Sequence, residues 1–132
     1  GRYVVGELVK AMIKRSIQVN GAKVLVMGLT FKENCPDLRN TKVIDIIKEL
    51  KEYNIQADII DPWCSNDEAT NLYGLHITSE PQEGVYDAIV IAVAHHEFRA
   101  LGGDKIRSFG RTNHVLYDLK YLLDKSQVDI RL

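Results

Sequence analysis

Cysteine is scarce in this sequence. The two residues, Cys35 and Cys64, form no CxxC pair and no disulfide framework. Free thiols in a reducing cytoplasm are the expectation. No apolar stretch is long enough to span a bilayer, and no signal peptide is visible, so no membrane partner is expected. Neither sign of charge is in excess: 17 Lys and Arg stand against 18 Asp and Glu, a net charge of -1. No global field therefore draws in nucleic acid or an anionic membrane, although a single basic cleft is compatible with that balance. There is no internal repeat and no low-complexity tract. An initiator Met is also missing, and the first residues after Gly1 already read as helix, so a piece of a longer chain is expected.

What is present fits one domain. The 132 residues are 45% apolar and 27% charged, an ordinary balance for a chain that buries a core without disulfides or metal. Val4, Val5, Leu8, Val9, Met12 and Ile13 recur with helical spacing, which predicts an amphipathic helix over residues 2–16. Its apolar stripe must be covered by the sheet or by a partner. Asn20-Gly21 signals a turn. The run KVLVMGL from Lys23 to Leu29 reads as a strand buried on both faces, hence part of a parallel sheet. The stretch TFKENCPDLRN, with Pro36, is neither helix nor strand. Asn40 or Thr41 can cap the next helix, whose core face is Val43, Ile44, Ile46, Ile47 and Leu50.

Further strands are predicted at residues 56–61, ended by Pro62, at 87–94 and at 114–119, with a weak one at 75–78. Short helices are predicted at 66–73, 97–101 and 104–109. Strands that alternate with helices and are apolar on both faces predict an α/β fold: a Rossmann-like open parallel sheet, helices on both faces, preceded by the end of a long helix. Ligands of such sheets sit at the carboxyl ends of strands, near the switch in strand order.

The first strand–loop–helix unit is therefore where chemistry is expected. A dinucleotide site would show G-x-G-x-x-G there. This chain has Gly28-Leu29-Thr30-Phe31-Lys32-Glu33, with one glycine. That loop is too bulky for a pyrophosphate to lie tight on a helix N-terminus. Asp61 stands where a ribose-binding acid would stand, and a capping or turn role competes with that. Lys32 and Arg39 at the mouth of a parallel sheet suit a polyanion such as a diphosphate, with Phe31 able to pack on a base or sugar. The competing reading is that these charges are solvated or pair with Glu33 and Asp37. His95 and His96 are adjacent at a strand end, so they point to opposite sides; they lack the convergent ligands a metal needs, and no metal is expected. Trp63 and the Val/Ile stripe of residues 43–50 read as packing. A receiver-type module would need clustered acids after the first strand, and these are absent.

The stretch GLTFKENCPDLRNTK, Gly28 to Lys42, resembles the signature of the UDP-glucose/GDP-mannose dehydrogenase family in its C-terminal domain: a strand, a glycine, Phe31-Lys32, then Asp37-Leu38-Arg39. Ile60-Asp61-Pro62, the strand AIVIAVAHHEF and the opening GRYV…LVKAM resemble the family too, so the likeness spans almost the whole chain. The wording of AVAHHEF and KENCPDLRNTK is most similar to the bacterial branch acting on UDP-N-acetylhexosamines for capsular or surface polysaccharide.

The resemblance implies residues 1–20 as the end of a central dimerisation helix and 21–132 as a C-terminal UDP-sugar-binding domain. It implies an NAD-dependent UDP-sugar 6-dehydrogenase, a homodimer through the central helix, with NAD held mainly by an N-terminal domain absent here. Such enzymes oxidise the sugar C6 hydroxyl twice, through a cysteine thiohemiacetal and thioester. That cysteine lies upstream of the central helix, so no catalytic residue is expected here and neither Cys35 nor Cys64 is the nucleophile. Carried over by motif, Phe31 and Lys32 contact the UDP-sugar and Arg39 reaches toward NAD. Lys120 matches the basic residue after the last strand that contacts substrate; many relatives have Arg there. UDP-glucose 6-dehydrogenase and a non-catalytic flavodoxin-like module are the alternatives.

Overall fold

The computed structural model describes residues 1–132. Lys23–Met27 (β1), Gln56–Ile60 (β2), Tyr86–Ile91 (β3), Gly110–Asp118 (β4) and the two-residue Ile130–Arg131 (β5) form one sheet in the order β2-β1-β3-β4-β5. All four pairings are parallel. The helices are Arg2–Lys14 (α1), Val43–Glu52 (α2), Asn66–Tyr73 (α3) and His96–Ser108 (α4).

The continuous apolar runs explain the layering. Val24, Leu25, Val26 and Met27 are all fully buried, because β1 is covered on both faces. Side chains alternate along a strand, so Val24 and Val26 enter one core with α1 and α2, while Leu25 and Met27 enter a second with Phe98 and Ile106 of α4. In β3 and β4, Val90 and Tyr117 join the first core; Ile91 and Leu116 join the second. The apolar stripe of α1 (Val5, Leu8, Val9 and Met12) is covered within the chain, against α2 and β4. Tyr3 and Ile13 of the same helix stay exposed.

Local contacts set the ends of the helices. Thr41 Oγ1 accepts the Val43 N–H at 3.2 Å just ahead of α2, whose cap position, Lys42, makes no side-chain cap bond. Ser65 caps α3 and Gly74, left-handed at φ 68°, ends it. Gly102, at φ 80° and ψ 164°, breaks α4 into two helical pieces. Several details differ. α1 ends at Lys14 rather than at residue 16, and β4 starts at Gly110 rather than at residue 114, pairing there with Tyr86. The weak strand at 75–78 is only one bridge, Ile59 to Ile77, because the segment continues no ladder beyond it. β3 stops at Ile91 rather than at residue 94: the N–H groups of Ala92 and Val93 both turn to the Met27 carbonyl. β5 escaped sequence reading, being two residues long with no apolar run.

α1 and the C-terminal segment are tied by charge. Asp129 accepts from Arg15 Nη2, Arg107 Nη1 and the Leu116 N–H, each at 2.7 Å. Burial acts to raise the Asp129 pKa, but the Arg107 hydrogen bond, the Leu116 N–H and the two guanidinium charges hold it below the usual carboxylate value.

Candidate functional site

The strand order switches between β1 and β3, so the loops after those strands part at their carboxyl ends and leave a crevice. Gly28 makes the two loops meet at its base. Its φ is +104°, and a Cβ there would lie 2.5 Å from Val93 Cβ, so the position needs glycine.

Beyond Gly28 the chain is fastened from beneath by a buried polar group. Asp61, at the end of β2, accepts the N–H groups of Leu29 and Thr30 on Oδ2 at 2.7 and 3.0 Å and that of Trp63 on Oδ1 at 2.8 Å. His95, with no solvent exposure, places Nε2 3.0 Å from Asp61 Oδ2 and 3.0 Å from Thr30 Oγ1. Its Nδ1 accepts the Asn34 N–H at 2.9 Å. That acceptor role leaves the proton of a neutral ring on Nε2, shared between Asp61 and Thr30; the Thr30 hydroxyl donates in turn to the Lys32 carbonyl at 3.1 Å. Burial acts to raise the pKa of Asp61, and the hydrogen bonds from His95, Leu29, Thr30 and Trp63 bring it below the ordinary value. Asp61 is thus an anchor of the loop.

A second carboxylate does the same after β4. Fully buried Asp118 accepts N–H groups from Lys120, Leu122 and Leu123. The two fastened loops face each other across a cavity of about 270 Å³, lined among others by Thr30, Phe31, Lys32, Ala92, Val93 and Lys120. The first turn of α2 and the start of α1, through Gly1 and Val4, complete its wall.

Three of the four residues singled out in the sequence therefore line one cavity: Phe31, Lys32 and Lys120. Phe31 is 53% exposed, unusual for a phenylalanine. Lys42 adds a third ammonium group to the lining and Glu33 the one side-chain carboxylate. None of the three lysines is in a salt bridge. Unpaired cations converging on a concave, partly apolar surface suit a polyanion that carries a flat or apolar portion. Arg39 is elsewhere. Its side chain is 78% exposed and pairs with Asp37 at 3.1 Å, the pairing that competed with ligand binding in the sequence; that pair lowers the pKa of Asp37 through its hydrogen bonds to Arg39.

The remaining candidates have structural partners. His96 turns outward, its N–H and Nδ1 both on Asn34 Oδ1 at 2.9 Å. Trp63 Nε1 donates to Glu97 at 2.9 Å. Burial, with the charges of Asp61 and Glu68, pushes the Cys64 thiol up to about 12, so it stays protonated at neutral pH.

Residues 25–125 match the family model described as UDP-glucose/GDP-mannose dehydrogenase family, UDP binding domain. The chain belongs to this family. Over all 132 residues it is 61% identical to UDP-N-acetyl-D-glucosamine 6-dehydrogenase of Pseudomonas aeruginosa and 52% identical to the enzyme of that name from Salmonella typhi. It spans 31% of the length of each, so it corresponds to one part of proteins about three times as long. The fold matches the crystal structure of NDP-N-acetyl-D-galactosaminuronic acid dehydrogenase from Methanosarcina mazei Go1, with a TM-score of 0.82 at 22% identity, over 96% of this chain and 26% of that one. The family's UDP-binding domain thus begins at the strand that leads into the lysine-lined cavity.

Proposed function

We propose that this chain is the UDP-sugar-binding domain of an NAD-dependent UDP-N-acetylhexosamine 6-dehydrogenase, serving capsular or surface polysaccharide synthesis. The observation that carries the reading is the placement of Phe31, Lys32 and Lys120 around one cavity at the strand-order switch. In this reading Lys32 and Lys120 hold the diphosphate from opposite loops, as point charges donating to its oxygens. Phe31 packs against the base or sugar. The chain supplies binding and orientation, and the reacting cysteine belongs to another segment of the full-length enzyme. Residues 21–132 are the binding domain; residues 1–20, helical over Arg2–Lys14, form the end of a central helix through which two copies pair, using faces such as exposed Tyr3 and Ile13. Free thiols suit a cytoplasmic enzyme, and no helix is long and apolar enough to cross a membrane.

NAD would accept the hydride. The single-glycine loop is a poor dinucleotide cradle, so NAD sits mainly on another domain. Arg39, free of the cavity and projecting from the same loop, reaches toward it. Arg39→Ala should then raise the KM for NAD more than that for the sugar nucleotide; the opposite order removes Arg39 from the cofactor side.

The test is NADH formation by the full-length protein against a panel of UDP-sugars, with calorimetric titration of UDP. Two NADH per UDP-N-acetylhexosamine supports the reading. Turnover of UDP-glucose alone replaces the substrate. UDP binding without NADH leaves a binding module, and no UDP binding overturns the site.

A further inference from the structure

We propose that His95 is a positioning residue for the nucleotide-contacting loop: its two ring nitrogens grip that loop at both ends and so set where Phe31 and Lys32 stand. This rests on the reading of the cavity as the UDP-sugar site. The imidazole is fully buried and lines no part of the cavity, so it acts through the loop.

The geometry is two-sided. On the Nε2 side the ring reaches Thr30 Oγ1 and Asp61 Oδ2, both at 3.0 Å. On the Nδ1 side it accepts the Asn34 N–H at 2.9 Å. Phe31, Lys32 and Glu33, the three residues between these grips, all line the cavity. The loop answers in kind: Asn34 Oδ1 accepts the His96 N–H at 2.9 Å, capping the helix that His95 precedes. Asn34 is held at φ +54°, in the left-handed region that asparagine adopts more readily than most residues. Phe98 and Trp63 flank the imidazole, with ring centroids 5.4 and 6.3 Å away.

A lysine on a flexible stem loses binding when its backbone wanders, since the ligand must then order it. The grip therefore serves affinity for the nucleotide and leaves the chemical step, which lies on other residues, untouched. The one ring separates two isosteres. An asparagine at 95 places its Oδ1 near the Nδ1 position and keeps the Asn34 contact while losing Asp61. A glutamine reaches the Nε2 position and keeps Asp61 while leaving the Asn34 N–H unpartnered.

The experiment uses the full-length protein with His95→Asn, His95→Gln and His95→Leu, each first checked for a native unfolding transition. Hydrogen exchange of the peptide spanning residues 28–34 reads the grip itself, with or without ligand. Exchange should rise in His95→Gln and rise furthest in His95→Leu; wild-type exchange in a folded His95→Leu protein overturns the proposal. The Kd for UDP should rise about tenfold in His95→Leu, with a smaller rise in the isosteres and kcat unchanged, as expected for a few modest hydrogen bonds. Lys32→Ala should cost less affinity in the His95→Leu background than in wild type, because the two residues act in series. Strictly additive losses also overturn it. Wild-type protein that fails to bind UDP sinks the cavity assignment, while the exchange data still report whether His95 holds the loop.

Discussion

Lys32 brings its charge to a cavity wall where no carboxylate pairs with it, so a ligand anion has no internal partner to displace. Lys32→Ala in the full-length protein should weaken UDP binding by about 1.5–3 kcal/mol, the range for hydrogen bonds to charged groups. Calorimetry checks it, and an unchanged Kd takes Lys32 out of the site. The sequence made Phe31 and Lys32 visible because a bulky, cationic loop follows a buried strand where glycines would otherwise stand. It offered Asp61 as a ribose acid or a capping or turn residue, and hid its pairing with His95. Asp61 and His95 lie 34 residues apart, and neither carries a local pattern that points to the other. Only the parallel pairing of β2, β1 and β3 brings them together. The available signal was a histidine directly after an otherwise apolar strand, which must find a polar partner when buried. Arg39 shows the opposite: its spacing to Asp37 is so short that the two pair locally.

At the scale of elements, β1 and β3 approach through Gly28. Gly28→Ala should destabilise the chain by about 1–3 kcal/mol, combining a left-handed backbone with a clash against Val93. A thermal unfolding midpoint within a degree of wild type would contradict that crowding. Asp129 joins α1, α4 and β4. Its arginine partners are partly exposed, at 41% and 30%, which discounts the loss, so Asp129→Ala should cost about 1–2 kcal/mol; urea unfolding of wild type and variant measures it. Elements with long apolar runs were legible for a reason visible in the cores: most strand residues are apolar where both faces are covered. Elements held by one or two ladder pairs, such as β5 and the Ile59–Ile77 bridge, leave no periodic trace.

For the whole molecule, near-zero net charge concealed local asymmetry, with lysines gathered at one cavity while Asp61, buried, and Asp129, half-buried, serve as acceptors. The folded-state pKa values of both aspartates are depressed. Their stabilisation is therefore fully present above the ordinary carboxylate value, about 3.9, and is lost as pH falls from there through the lowered folded values. Urea midpoints should hold from pH 7 to 5 and drop below about 4. Asp61→Asn should be less stable at pH 7 and show a shallower acid decline. An acid decline as steep as that of wild type would mean that other groups drive the transition.

α1 carries a mechanical consequence. Its C-terminal end is bolted through Arg15 to Asp129, while Val4, near the other end of a helix about 20 Å long, forms cavity wall. With the fulcrum at Arg15, a tilt of α1 moves the Val4 end through the widest arc. A torque applied to that helix would thus change the width of the cavity.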